Sequence, residues 1–189
     1  MKKRIQIQGF LIFAATVGVA LFHKYIFQDR SEITLNRILG ILGALFFFGG
    51  YFLRVAARGN KSEQNPDGKT LVSCGLYAVT RNPMYLGTLL IGLGINFFLF
   101  KWWVGLVFLV VYLAIYIPQI NREEQKLSAL FGEDFRSYCV KTPKFFPNIF
   151  RVSLRNFKVK QQWFRTELHS FIAVLICIIA IKILAGLLG

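Results

Sequence analysis

Five long apolar blocks, separated by short polar or strongly basic stretches, dominate this 189-residue chain and leave few folds open to it. They run over 5–27, 35–53, 84–100, 102–117 and 168–188. Crossing a bilayer as a helix takes about 20 consecutive apolar residues, and each block is near that length. The fourth is short by this measure, so its polar inner end is expected to continue as helix beyond the membrane. Helix is the default in lipid because it satisfies its own backbone polar groups. The expectation is an all-α integral membrane protein: one domain over 1–189, with five transmembrane helices and cytoplasmic amphipathic helices.

The charge pattern decides between a membrane and a nucleic-acid partner. Lys and Arg number 23 against 9 Asp and Glu, for a net charge of +14. An even basic surface would suit nucleic acid. Here 18 of the basic residues fall before the first block, between the second and third, or between the fourth and fifth, and only 5 fall on the opposite side. That is the positive-inside asymmetry, so no nucleic acid is expected. It puts the N-terminus in the cytoplasm and the C-terminus outside. The basic side then faces anionic membrane lipids, at about 1 kcal/mol per nearby basic residue. Lys2-Lys3-Arg4 before an apolar run also fits a cleaved signal peptide, but the run is long and no small-residue cleavage site closes it. A retained first helix is the better reading. Small size and the lack of an endoplasmic reticulum retrieval signal point to a prokaryotic inner membrane.

Metal and disulfide chemistry have little support. Cys74, Cys139 and Cys177 lack CxxC spacing, and His23 and His169 fall near opposite ends of the expected bundle. Neither a disulfide framework nor a metal site is expected.

Blocks one and two should form a hairpin through 28–34. Gly40, Gly43, Gly49 and Gly50 in block two read as close helix packing, or as space left for a ligand. Asn65-Pro66-Asp67-Gly68 is a turn signal, and 71–75 reads as a short extended piece or turn. Pro83 suits the first turn of a helix, with Asn82 placed to cap it. Blocks three and four form a second hairpin, anchored at the interface by Lys101, Trp102 and Trp103. Beyond it, Leu127, Leu130, Phe131, Phe135 and Tyr138 recur at helical spacing, predicting an amphipathic helix broken at Gly132. Pro143 and Pro147 bracket a surface loop. The basic segment 148–166 reads as a membrane-surface helix, with RNA binding as a weaker alternative.

Two polar clusters meet at one mouth of this arrangement. Tyr77, Arg81, Asn82 and Tyr85 enter block three; Gln119, Arg122, Glu123 and Glu124 leave block four. Adjacent helical residues point about 100° apart, so Glu123 and Glu124 cannot both be central to one pocket. Gln119 and Glu123, four apart, share a face. The bland alternative is a surface network in which Arg81 pairs with Glu123 or Glu124, which would be worth little and imply no activity.

The span 50–147 resembles the isoprenylcysteine carboxyl methyltransferase and phospholipid methyltransferase superfamily of integral membrane enzymes. Its hallmark G-x-Y-x-x-x-R-H-P-x-Y-x-G is similar to Gly75-Leu76-Tyr77-Ala78-Val79-Thr80-Arg81-Asn82-Pro83-Met84-Tyr85-Leu86-Gly87. The second hallmark resembles Glu123-Glu124, Leu127, Phe131-Gly132, Tyr138 and Pro147, and Leu53-Arg54 resembles the family's Leu-Arg. Two departures stand out. Asn82 replaces the usual His, as in phosphatidylethanolamine N-methyltransferases, and removes an ionisable imidazole. Gln119 stands where prenylcysteine enzymes carry an Arg, which weakens a prenylcysteine carboxylate as acceptor.

The resemblance implies S-adenosylmethionine as methyl donor, with S-adenosylhomocysteine as product. It places Thr70, Leu71, Val72 and Tyr77 on one wall of the cofactor site, Asn82, Pro83, Met84 and Tyr85 on the other, and Glu123 on the cofactor's polar groups. Arg81 and Glu124 are the expected catalytic pair, and Gln119 and Arg122 the expected acceptor contacts. The acceptor would be a lipid or another small amphipathic molecule. A nicotinamide-dependent reductase sharing the bundle and a non-enzymatic membrane protein are the alternatives. The first is opposed by the short chain, the second by the paired motifs.

Overall fold

Glycine sets the closest approach in the bundle. Gly43 and Gly50 on one helix meet Gly94 and Gly87 on the next: a Cβ added to Gly50 would lie 2.7 Å from the Gly87 carbonyl oxygen, and one on Gly94 would lie 2.8 Å from the Gly43 oxygen. Each pair is seven residues apart, two helical turns, so both contacts fall on one face. Two backbones can pack this tightly only where side chains are missing. A Cβ added to Gly40 or Gly49 would meet nothing within 4 Å, so the packing reading holds for Gly43 and Gly50 alone.

The computed structural model describes residues 23–27, 33–147 and 160–188. The order is α1 (His23–Ile26), α2 (Ile33–Gln64), a 3-10 turn (Gly75–Ala78), α3 (Pro83–Leu99), α4 (Trp102–Lys141) and α5 (Gln161–Leu188). Among the described residues the only extended pairing is an isolated bridge between Phe27 and Phe100, so the all-helical class stands. Two described helices, over Thr34–Gln64 and Trp102–Lys141, are long and apolar enough to cross a membrane, and Pro83–Leu99 is a shorter apolar helix. Most of the expected first span, 5–27, lies outside the described residues, as does most of the basic segment 148–166.

Large apolar side chains point away from the bundle. Leu45 is 63% exposed on α2, Val110 67% on α4 and Ile176 60% on α5. In water, so much contiguous apolar surface marks an interaction site; facing lipid it is the ordinary exterior of a membrane protein.

α3 packs chiefly on α2 and then on α4. Tyr112 Oη of α4 donates to the Tyr85 carbonyl at 2.7 Å. α5 returns along α2. The Trp163 ring covers Gly59, where a Cβ would come within 2.0 Å of it, and its Nε1 donates to Glu63 Oε1 at 3.1 Å. Lys160 Nζ lies 2.8 Å from the same oxygen. These contacts hold the Glu63 carboxyl below its usual range, chiefly through the hydrogen bond from Lys160.

α4 runs on past block four through Pro118 to Lys141, as its polar end predicts. Gly132 breaks it, at φ 50° and ψ −119°, a combination that side chains with a Cβ resist. The break also corrects the spacing argument. Phe135 and Tyr138 are buried, whereas Leu130 is 70% exposed. A helix interrupted at Gly132 changes phase there, so residues before and after it no longer share a face.

Candidate active site cleft

The first polar cluster is built around a glycine. Gly75 has φ 63°, and a Cβ there would sit 2.7 Å from Asn60 Nδ2. Glycine is therefore needed both for the backbone and for space, and the chain can turn at once into the 3-10 turn that presents Tyr77. Leu76, 2% exposed, fixes that turn to Ala56 and Ala57 at the inner end of α2. From the far side, Tyr138 Oη donates to the Tyr77 carbonyl at 2.6 Å.

Residues 143–145 cross the next stretch as a strap. Arg81 N–H donates to the Pro143 carbonyl at 2.9 Å. Thr80 Oγ1 donates to the Phe145 carbonyl at 3.1 Å, and Asn82 Nδ2 to the Lys144 carbonyl at 2.9 Å. Asn82 does occupy the N-cap position with Pro83 behind it, but its side chain makes no capping bond. The amide is drawn to a carbonyl 62 positions away in sequence, which corrects the capping expectation.

The second cluster faces the first from α4. Glu123 Oε1 accepts hydrogen bonds from Tyr85 Oη at 2.5 Å and from Gln119 Nε2 at 3.0 Å. Glu124 points the other way: Oε1 lies 3.3 Å from Arg81 Nε and 3.5 Å from Asn82 Nδ2, and Oε2 lies 3.0 Å from Lys144 Nζ. The expected Arg81–Glu124 pair thus exists, but it is not an exposed surface pair, since the two side chains are only 15% and 18% exposed. Arg81 Nε is buried without a well-aligned acceptor. The contact with Glu124 is a charge neighbourhood, which leaves an N–H directed at no partner.

Between these walls lies a cleft of about 680 Å3, part of it open to solvent. Thr70, Leu71, Val72, Tyr77, Arg81, Asn82, Pro83, Met84, Tyr85, Glu123 and Glu124 all line it. Glu123 and Glu124 share it because it wraps an edge of α4, each reaching it from its own side. Gln119 and Arg122 do not line it; they border a shallow groove that shares Glu123. Lys61, Asn65, Leu127, Phe135 and Tyr138 also line the cleft and were not assigned to it from sequence. Leu127 and Tyr138 stand in the second hallmark. Asn65 belongs to the turn signal and accepts the Thr70 N–H at 3.1 Å, which ties that wall back to α2. For Lys61 there was no usable signal, since a lysine ending a helix has many ordinary uses.

Burial sets the protonation of the two phenols outside the apolar spans. Tyr77 is pushed well above the usual tyrosine range, first by desolvation and then by the charge of Glu123. Tyr138 is raised in the same way, again chiefly by desolvation. Both are neutral hydrogen-bonding groups near neutral pH, not phenolate bases.

A helical membrane protein whose bundle ends in a half-buried cleft of carboxylates, cations and aromatic rings is therefore defined. Residues 35–134 match the model of the phospholipid methyltransferase family. The chain belongs to that family, within the superfamily that also holds the isoprenylcysteine methyltransferases. Among curated relatives, the protein-S-isoprenylcysteine O-methyltransferase of Schizosaccharomyces pombe is 33% identical over 145 residues, covering 72% of this chain and 59% of the relative. The chain thus spans about three fifths of the relative's length. No solved structure matches the chain.

Proposed function

We propose that the chain is an S-adenosylmethionine-dependent methyltransferase whose acceptor is a lipid or a small amphipathic molecule. One observation carries the reading: residues 70–72, 77 and 81–85 meet Glu123 and Glu124, which come from the far end of the next hairpin helix, on a single cleft. Its donor set suits the cofactor. Glu123 receives both of its hydrogen bonds on Oε1, which leaves Oε2 for a ribose hydroxyl or an ammonium. Arg81 lines the cleft with its Nε beside Glu124, and a guanidinium there is suited to a carboxylate. Leu71, Val72, Pro83, Met84, Leu127 and Phe135 supply apolar walls for a flat heterocycle.

When bound, S-adenosylmethionine supplies an electrophilic methyl group on a sulfonium. The residues of the chain orient and enclose. Tyr85 and Gln119 fix the Glu123 carboxylate, and alignment of reacting groups is where much of the rate of such a displacement arises. Arg81 orients the carboxylate of the cofactor or the acceptor head group, with Glu124 and Lys144 holding the charge balance around it. The apolar walls of the cleft limit over-stabilisation of a charged ground state. An amine acceptor must lose a proton before it attacks, whereas a carboxylate need not. With Tyr77 and Tyr138 held neutral, Glu123 and Glu124 are the bases at hand. Gln119 and Arg122 border the adjoining groove, where an acceptor head group would approach. In this reading five helices span the membrane, with the N-terminus and the cleft cytoplasmic and the C-terminus outside.

Transfer of labelled methyl from S-adenosylmethionine into a total lipid extract tests the reading. Arg81→Ala and Glu124→Gln should each lower turnover by about tenfold or more, the scale of one charged hydrogen bond. Wild-type turnover in both variants would remove the roles given to this pair.

A further inference from the structure

α5 begins against the inner end of α2, and all of it lies beyond residue 134, where the family match stops. The Trp163 ring is 7% exposed and seats on Gly59, where an added Cβ would run into it. Its Nε1 donates to Glu63 Oε1 at 3.1 Å, and Lys160 Nζ pairs with the same oxygen at 2.8 Å. The ion pair alone would hold little, because Lys160 and Glu63 are 54% and 37% exposed and solvent screens them. Burial of the large indole is the stronger grip. Gly59 and Glu63, four apart, share one face of the last turn of α2. Lys61 lies about 200° round from Gly59, on the face that lines the reaction cleft, and Asn65 lines it too. The turn is thus clamped between α5 and the cleft.

This turn also carries a wall. Asn65 Oδ1 accepts the Thr70 N–H at 3.1 Å, and Gln64 Oε1 accepts from Cys74 Sγ at 3.2 Å. Both bonds are exposed, and 70–74 has no helix or strand of its own. Its placement therefore depends on the turn that anchors it. Helix ends fray, since their last carbonyls lack helical partners, so an anchor of this kind needs a clamp. We infer that Trp163 is a positioning residue for the cofactor site: seated on Gly59 and bonded to Glu63, it keeps the last turn of α2 formed, and Gln64 and Asn65 then hold the wall at 70–74 against the cleft. The inference rests on the methyltransferase reading, which makes that wall part of the cofactor site. Trp163 does not line the cleft; it acts through α2. Affinity for the cofactor then scales with the fraction of chains in which the wall is formed.

Three variants of the full chain in detergent separate this role from simple stability. S-adenosylmethionine binding is measured by calorimetry, and backbone hydrogen exchange is followed by mass spectrometry at 69–74 and, as reference, within α3. Trp163→Ala should weaken binding about tenfold, as for a wall formed about a tenth of the time, and speed exchange at 69–74 but not in α3. Trp163→Phe keeps a ring on Gly59 and should bind within about threefold of wild type, the scale of one partly exposed hydrogen bond. Gly59→Ala unseats the ring while raising helix propensity, so it should weaken binding although α2 becomes the better helix former. Wild-type binding, or wild-type exchange at 69–74, in Trp163→Ala or Gly59→Ala would overturn the positioning role. Faster exchange in α3 as well would make Trp163 a general stabilising residue and overturn it too. A wild-type chain that binds no S-adenosylmethionine would overturn the transfer reading, and this role with it. A wild-type chain that binds it no more tightly than Trp163→Ala would overturn this role alone.

Discussion

Asn82 shows how a residue can be found from sequence and still be misread. Its place before Pro83 marked it as a cap and as the departure from the family's His. Capping rules are local, however, and the amide instead serves the Lys144 carbonyl at 2.9 Å. Asn82 is 8% exposed, so Asn82→Ala strands a carbonyl with little water to replace the donor. The expected cost is about 1–3 kcal/mol, read as a lower melting temperature in detergent; an unchanged melting temperature would show that the strap does not need this pin. Tyr77 gives a pH prediction. Its phenol titrates above the usual value of about 10, so folding favours the protonated form. That contribution is complete below about 10 and is lost as pH rises further, because the unfolded chain ionises first. Tyr77→Phe should therefore flatten the alkaline fall in melting temperature without changing the neutral plateau. An alkaline fall identical to wild type would place its origin elsewhere. The polar clusters were legible because charge at the end of an apolar block is conspicuous. Lys61 and Phe135 were not, because their side chains reach the cleft only through the folding of α2 and the phase change at Gly132.

At the scale of the helix, small residues divide into those that touch and those that do not. Gly50 would drive a methyl group to 2.7 Å from the backbone of α3, whereas Gly49 has nothing within 4 Å. Gly50→Ala should destabilise by about 1–3 kcal/mol as an overpacked contact. Gly49→Ala should be neutral or stabilise by up to about 1 kcal/mol, the gain in helix propensity. Thermal unfolding of the two variants side by side checks this, and equal effects would contradict the packing assigned to α2 and α3. Helix positions were legible from apolar length, and the break in α4 from Gly132. Which glycines of α2 would be contacts was not, because that depends on where Gly87 and Gly94 of α3 come to rest.

For the whole molecule, apolar length carried the class: a helical membrane protein. The described helices agree in kind, and two of them are long and apolar enough to span. What pattern alone could not supply was convergence. The wall at 70–72 has no periodicity, and it reaches the cleft because Gly75 turns the chain and Asn65 holds Thr70 at 3.1 Å. The same convergence underlies the proposed activity, so the decisive measurement is of the ligand that would need it. Calorimetry of S-adenosylmethionine and S-adenosylhomocysteine should be run on the detergent-solubilised protein and on Glu123→Gln. The account predicts binding of both ligands to the wild-type chain, weakened by about tenfold or more when the carboxylate anchored by Tyr85 and Gln119 is lost. Absence of binding to the wild-type chain, or equal affinity in the variant, would contradict it.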